Sequence, residues 1–457
     1  VSQSLLSAAY RGRFLAVMLT VALFNFADRA VFSVVSPALR HDLGFTDGQI
    51  GLLQGFSFAL LYGGLGLPVG RLAERYSRVR IIAAATAIWS AATVCCGAAG
   101  GFAQMMLARI SVGMGEAGFA SPTASLVADH FPPRRRASAM SVIMLGLPAG
   151  TLLGAIGGGQ IAQAYGWRMA FLVLGLPGLA VAALAFYMLR EPPRGLADGG
   201  GLRPSRVVPP LAAVLRHVSS VRAIRHVMIG GALCTLGVQG VAQFMPMLLT
   251  RAFHLPLGQA ALMFGVVSAS SLSVGLLLGA LGTDRASLRD ERWPAWGPAV
   301  ALLLAPLCYL AAFTQVTVPA MVTLLLGGGV LAMVYYGPSV GLLQNLTPQP
   351  MRASTAAVFG MATALVGNGI GPTLVGFASD RFAAQLFAGG DYAVLCRPGA
   401  ALDQAVAVAC AAASLGGLRR AMMISVLSFG WAAVHYFWAS RSLREDLRAA
   451  RAAALSA

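Results

Sequence analysis

Four ionisable side chains stand inside segments that are otherwise apolar. Asp28 and Arg29 lie in ALFNFADRAVFSVVSPAL, and Arg109 and Glu116 in LARISVGMGEAGFASPTASL. An ionisable group near the middle of a membrane helix costs roughly 2.5–3.5 kcal/mol on insertion scales, so its presence points to function. Two acids and two arginines can compensate one another. Arginine stays charged, whereas a carboxylate answers to its surroundings: desolvation favours its neutral form and a nearby arginine its ionised form. A conformational change that withdraws an arginine therefore switches a carboxylate from ionised to protonated. On this chemistry Asp28 and Glu116 form a proton-coupling pair, while Arg29 and Arg109 modulate them and can bind an anionic head group. The alternative is a permanently neutralised network that locks the first segment to the fourth. Coupled carboxylates titrate as a unit, so neither has a pKa of its own.

Spacing sets what these groups can reach. Asp28 lies about fourteen residues into its segment, roughly 21 Å along a helix and near mid-membrane. Glu116 is placed similarly. Arg109, Gly113 and Glu116 follow an i, i+4, i+7 pattern and share one helix face. Gly113 leaves room there for the first helix to approach between Arg109 and Glu116. Asp28 and Arg29 are about 100° apart around their helix, so they cannot point the same way. Cross-pairing is expected, with Arg29 or Arg109 bonded to whichever carboxylate faces it.

The elements that must hold them are membrane helices. The chain of 457 residues is 57% hydrophobic and 11% charged, with a mean hydropathy of +0.74, more apolar surface than a soluble protein can bury. Stretches of about 20 apolar residues occur at 14–40, 48–73, 80–100, 102–129, 136–163, 168–190, 223–251, 258–283, 295–313, 316–346, 353–380 and 419–440. Ten-residue strand alternation is absent, which excludes a membrane β-barrel. The fold class is an all-α membrane protein of twelve transmembrane helices.

Net charge is +17, and all 33 basic residues are arginine, which codon bias suffices to explain. Their placement is informative. Twenty-four fall at the N-terminus, in alternate loops or at the C-terminus, and seven on the other side or at its edge. The positive-inside rule then places both termini and the 191–222 loop in the cytoplasm. Basic charge here reports topology and contact with anionic membrane lipids, not nucleic acid. Arg11 and Arg13 ahead of the first helix suit a retained signal-anchor, and the expected location is a bacterial inner membrane. Without lysine there is no phosphate-binding G-x-x-x-x-G-K-[ST] loop, so an ion gradient is the simpler energy source. No metal or organic cofactor is expected, only the proton as coupling ion, and the protein is expected to be a monomer.

Internal repetition divides the chain. SPTASLVADHFPPRRRASA aligns with GPSVGLLQNLTPQPMRAST at a constant offset of 216, pairing Gly113 with Gly329, Pro122 with Pro338 and Arg136 with Arg352. A second echo sets Glu74–Arg75 opposite Asp284–Arg285. Two pseudo-symmetric six-helix halves follow, 1–190 and 223–457, joined by a polar linker at 191–222. Parallel repeats of this kind describe the major facilitator architecture, with the site near the midplane between halves. Gly70, Glu74, Arg75, Arg78, Asp129, Asp284 and Arg285 are assigned to a cytoplasmic gate, where charges at helix ends can hold one conformation shut; a solvated turn that enforces topology is the alternative. The fifth segment carries Gly146, Gly150, Gly154, Gly157 and Gly159 around Pro148. Small residues at intervals of four let helices approach closely; Pro148 also offers a bending point.

The second half differs. Ala332 stands where the first half has Glu116, and the segments offer hydrogen-bonders and aromatics instead. The substrate cavity is assigned to Asn25, Phe32, Phe119, Pro148, Gln239, Gln243, Phe244, Tyr335, Tyr336 and Asn368. One charged and one apolar half suit an amphipathic ligand. N-x-x-D-R (Asn25, Asp28, Arg29), G-L-L-Q (Gly51–Gln54), R-x-x-x-G-x-G-E-A (Arg109 to Ala117) and P-x-G (Pro148, Gly150) resemble the Spinster lipid-transporter family. The resemblance implies transport of lysophospholipids or sphingosine-like lipids, in some members with protons, by alternating access. A proton-linked drug or organic-anion carrier of the same superfamily is the alternative. An intramembrane enzyme would need a nucleophile–base pair or metal ligands, and His226 and His435 sit near segment ends without evident partners. Cys396 and Cys410 share the predicted extracytoplasmic loop 381–418, where an oxidising compartment would favour a disulfide worth about 3 kcal/mol.

Overall fold

The computed structural model describes residues 5–198, 210–397 and 403–455, and every regular element among them is helical. The first six helices are α1 (Ala8–Leu43), α2 (Asp47–Gln54 continuing as Phe56–Arg75), α3 (Arg78–Ala98), α4 (Phe102–Glu116 and Ala120–His130), α5 (Pro133–Met144 and Gly146–Tyr165) and α6 (Trp167–Met188). After a short helix at Leu211–Ser220 come α7 (Arg222–Phe253), α8 (Leu257–Ser287), α9 (Trp293–Phe313), α10 (Val318–Met333 and Tyr336–Leu346), α11 (Arg352–Ala362 through Gly371–Leu386) and α12 (Gln404–Leu455). Among the described residues ten helices are long and apolar enough to cross a membrane, and α2, bent by 41° between Asp47–Gly66 and Pro68–Arg75, makes an eleventh. The twelfth is α4, whose pieces of 15 and 11 residues are each short because the helix breaks at 117–119.

Local chemistry sets these boundaries. Ser7 starts α1 by accepting from the Tyr10 N–H at 3.2 Å, and Gly44 ends it at φ +68°, a conformation other residues rarely adopt. Thr46 and Gln49 then form a reciprocal capping box that launches α2. Pro148 lacks the N–H that would bond the Met144 carbonyl, and α5 breaks at Leu145. In α11 the stretch Thr363–Ile370, just ahead of Pro372, is a π-helix. The helix α12 begins at Gln404 and runs to Leu455, well beyond 419–440, because its polar ends are still rich in alanine, leucine and arginine. Cys410 therefore lies in α12 rather than in a loop, and it is disulfide-bonded, as is Cys396.

The helices form two compact units. One holds α1–α6 together with Met245–Ala269; the other holds the earlier part of α7 and most of the remaining helices. Met245–Ala269 follows the linker yet groups with the first unit, where Arg251 bonds Asp47 and the Gly258 N–H donates to Gln163 at 2.8 Å.

The repeat is visible in backbone and caps. Ala120–His130 and Tyr336–Leu346 are both 11-residue helices that follow a break, and they lie at the 216-residue offset of the sequence echo. Arg136 Nε donates to Phe131 O at 3.0 Å and Arg352 Nε to Thr347 O at 3.1 Å, again the same offset.

Within the first unit α5 lies along α1 on a stripe of glycines. A Cβ at Gly146, Gly150, Gly154 or Gly158 would collide with Ala22, Leu23, Ala27 or Val31 respectively, whereas at Gly157 it would meet nothing within 4 Å. The seam thus uses Gly158 in place of the expected Gly157, and Gly159 meets Ala261 instead. Gly154→Leu should destabilise the protein by about 1–3 kcal/mol through overpacking, seen as a lowered Tm in detergent. Gly157→Leu should not; equal melting of the two variants would contradict this seam.

Candidate functional site

Glu116 is the last residue before the break in α4. There the Gly118 N–H donates to Gly115 O at 3.0 Å and the Phe119 N–H to Glu116 O at 3.2 Å, a tightening to i→i−3 bonds. Neighbouring helices press on this turn: a Cβ on Gly113 would stand 2.5 Å from Phe58 O, and one on Gly115 2.7 Å from the Trp89 N. It is therefore α2, not α1, that fills the space left by Gly113. The first helix reaches Glu116 by a side chain instead.

That side chain is Arg29. It pairs with Glu116 through Nε and Nη2, both onto Oε2. The carboxylate is fully enclosed, whereas the arginine side chain keeps 24% of its surface. Its guanidinium lies over Phe58 and Tyr62 at 4.8 Å and over Phe26 at 5.3 Å. Cation–π contact of this kind holds a charge without neutralising it. Glu116 Oε1 has no hydrogen-bond partner. Asn25 lies close to Glu116 but its amide nitrogen meets no partner in hydrogen-bond geometry.

Asp28 and Arg109 do not complete a second pair. Asp28 is buried, accepts from Thr93 Oγ1 at 3.2 Å, and leaves Oδ1 unbonded. Arg109, also buried, donates from Nε to Leu53 O at 3.2 Å and stacks on Phe32 at 4.7 Å. The Leu53 carbonyl lies just before the break in α2 at Gly55 and also accepts from Ser57 Oγ at 2.8 Å. Arg109 thus ties α4 to the break in α2 at Gly55. Of the expected cross-pairs, only Arg29–Glu116 forms. Thr93, Phe58 and Tyr62 were not among the expected residues; the lone hydroxyl of Thr93 in ATVCCGAA is the one local signal.

The other expected residues are dispersed. Phe32, Phe119, Phe244 and Tyr335 are buried, with Phe119 edge-on to Trp89 at 6.4 Å, while Pro148 and Gln243 are half-buried. In the second unit Gln239 Nε2 donates to Asn368 Oδ1 at 2.6 Å, and Thr235 Oγ1 meets the Tyr335 hydroxyl at 2.8 Å. Asn368 sits in the π-helix. Tyr336 is the open ring of its pair, 47% exposed. The two histidines are not isolated: His226 and His435 bring their Nδ1 atoms to 3.0 Å, so one donates to the other.

Of the residues assigned to a gate, Arg78 and Asp129 are ion-paired. Glu74, Arg75, Asp284 and Arg285 are exposed and have no ion pair among the described residues; Gly70 packs near Ser121. Arg78 is buried and takes a second acid, Glu191, at 2.6 Å. Sequence reasoning missed Glu191, whose signal was an acid directly ahead of the Pro192–Pro193 pair that ends α6. Burial pushes the Glu191 carboxyl up, but hydrogen bonds from the Val79 N–H, Arg78 and Ser77 outweigh it and hold it below its ordinary value of 4.5. A depressed folded-state pKa contributes stability that is present above the ordinary value and lost as pH falls through the folded one. Glu191→Gln should therefore flatten the fall in Tm below about pH 4.5; unchanged pH profiles in wild type and variant would remove Glu191 from this account. A further missed cluster is Asp47, which accepts from Arg40 Nη1 at 2.7 Å and from both terminal nitrogens of Arg251 at 2.7 and 2.6 Å.

Similarity to known proteins follows this architecture. Residues 18–372 match the family model of the Major Facilitator Superfamily. An MFS-type efflux pump of Mycolicibacterium smegmatis is 29% identical over 371 residues, 81% of this chain and 85% of that one. Human protein spinster homolog 1 is 29% identical over 392 residues, 80% of this chain and 72% of its own. The crystal structure of a bacterial homologue of the human lysosomal transporter Spinster, inward-facing and unoccupied, superimposes with a TM-score of 0.88 at 28% identity, covering 96% of this chain and 99% of that one. The chain belongs to the major facilitator superfamily, transporters rather than enzymes, and counts Spinster proteins among its homologues.

Proposed function

We propose that this transporter moves amphipathic lipids, lysophospholipid or sphingosine-like, by proton-coupled alternating access. The observation that carries this reading is the unequal burial of one ion pair. Glu116 is enclosed while its partner Arg29 keeps a quarter of its side chain open, ringed by Phe26, Phe58 and Tyr62. A cation framed by aromatic faces suits an anionic head group followed by an apolar chain. When such a head group takes Arg29, Glu116 loses its counter-charge, and a proton is the available replacement. Asp28, enclosed with one hydroxyl donor, is the second proton site. The second unit, taken by itself, carries neutral hydrogen-bonders, Gln239 with Asn368 and Thr235 with Tyr335, and the exposed ring of Tyr336. The protein acts as a monomer in a bacterial inner membrane with both termini cytoplasmic.

Uptake of a lysolipid by proteoliposomes, with and without an imposed pH gradient, tests the proposal; uptake that ignores the gradient removes proton coupling. The similarity to an efflux pump favours a second reading, a proton-linked drug or organic-anion carrier. Competition separates the two, since small polar anions would then displace substrate where lysolipids fail.

A further inference from the structure

The second unit contains a cavity of about 390 Å³ away from its Gln239–Asn368 pair, lined by the ends of five helices. Ser287 closes α8, Glu291 precedes α9, Asn345 is in the last turn of α10, Arg352 opens α11, and Arg451 is near the end of α12. This volume lies within the range of small-ligand pockets, roughly 300–1,000 Å³.

The internal repeat shows why the space is open. The residue 216 positions before Asn345 is Asp129, and in the first unit that place is plugged. Buried Arg78 fills it, paired with Asp129 and Glu191 and donating to Pro192 O at 3.1 Å. The Gly195 N–H also donates to Asp129 Oδ1 at 2.8 Å. In the second unit the acid is an amide. The residue aligned with Arg78 in the Glu74–Asp284 echo is Leu288, which points away at 89% exposure. No plug is present among the described residues.

Charge then selects the occupant. Arg352 and Arg451 contribute two guanidinium groups and Glu291 one carboxylate, which Arg451 contacts at 2.8 Å. Arg136 donates from Nη2 to Ala128 O as well as from Nε to Phe131 O. Among the described residues its counterpart Arg352 makes only the Nε bond, to Thr347 O, which leaves its terminal nitrogens to the cavity. The lining carries one net positive charge, a neutral amide and a hydroxyl, beside leucine side chains. Guanidinium forks match phosphate oxygens in two-point hydrogen bonds.

We propose that this cavity is a binding site for a singly charged phosphate group, separate from the Arg29–Glu116 site. A membrane phosphodiester head group and free inorganic phosphate share that chemistry. Native mass spectrometry of the detergent-purified full chain distinguishes them. The probes are dioctanoyl-phosphatidylglycerol, dioctanoylglycerol, which has the same chains without phosphate, and inorganic phosphate. In the Arg29→Ala, Glu116→Gln background, which removes head-group binding at Arg29, one saturable phosphatidylglycerol adduct is expected, weakened about tenfold or more by Arg352→Gln and by Arg451→Gln and unchanged by Arg444→Gln, which lies outside the cavity. Arg352 also caps the preceding helix, so Arg451→Gln carries the test should Arg352→Gln not fold. Glu291→Gln removes the competing carboxylate and should tighten binding, a gain that misfolding cannot produce. Displacement of the lipid by inorganic phosphate at similar concentration assigns the site to free phosphate; its failure to compete assigns it to a lipid head group. Equal binding of dioctanoylglycerol, or an adduct unaffected by Arg451→Gln and Glu291→Gln, overturns the proposal.

Discussion

Asp28→Asn and Glu116→Gln are each expected to reduce pH-driven lipid uptake to background, but with opposite effects on stability. Asparagine keeps the acceptor that Asp28 offers Thr93 and removes a buried carboxylate that has no arginine bonded to it, so stability should hold or rise. Glutamine at 116 breaks the ion pair with Arg29. Removing one partner of a buried pair costs about 3–5 kcal/mol, here lessened because Arg29 keeps solvent contact and three aromatic faces. A purely structural lock predicts otherwise: destabilisation from both substitutions, with surviving protein still pH-coupled. Measuring Tm and uptake on the same two variants decides between them. Wild-type pH dependence in both would end the proton-pair reading.

The two arginines should separate even more sharply. Arg29→Ala strands Glu116 in an enclosed site, and about 3–5 kcal/mol of stability should be lost, unless the carboxyl takes up a proton in compensation. In an Arg29→Ala, Glu116→Gln double variant most of that loss should disappear, because contacting residues are strongly non-additive. Lysine at 29 should restore the charge but not the planar contact with Phe58 and Tyr62, giving partial uptake. Arg109→Ala strands no bonded carboxylate; it removes one donor to Leu53 O, which retains Ser57 Oγ. The expected cost is about 1–3 kcal/mol, together with faster hydrogen exchange at the α2 break around Gly55. Additive energies for Arg29 and Glu116, or unaltered exchange at the α2 break in Arg109→Ala, would contradict these assignments.

Much of this molecule is legible in its sequence. Membrane spans follow from composition because a run of about 20 apolar residues has one stable solution in lipid. The repeat was equally readable: residues that break a helix or cap its end act on their own neighbours, so the 216-residue echo reappears as two 11-residue helices and two matching arginine caps. The charged residues themselves were conspicuous against their apolar surroundings.

What the sequence left open was partnership. Two acids and two arginines allow several pairings, and the choice depends on which helix each faces. The glycine stripe of α5 draws α1 close on one side, and the turn at Gly115–Gly118 ends the first part of α4 at Glu116. Together they leave Arg29 facing Glu116 and Asp28 facing Thr93. The role of Gly113 was misassigned for the same reason, since a missing side chain shows that something approaches but not that it is α2. Asp47 met Arg251 across 204 residues, and Glu191 met Arg78 across 113. Long-range ion pairs carry no periodicity in the chain, because charge attracts through space while spacing along a helix constrains only a few turns. Local chemistry fixed the helices, their breaks and their caps; only tertiary packing decided which charges are neutralised, which remain open, and where a cavity is left unfilled.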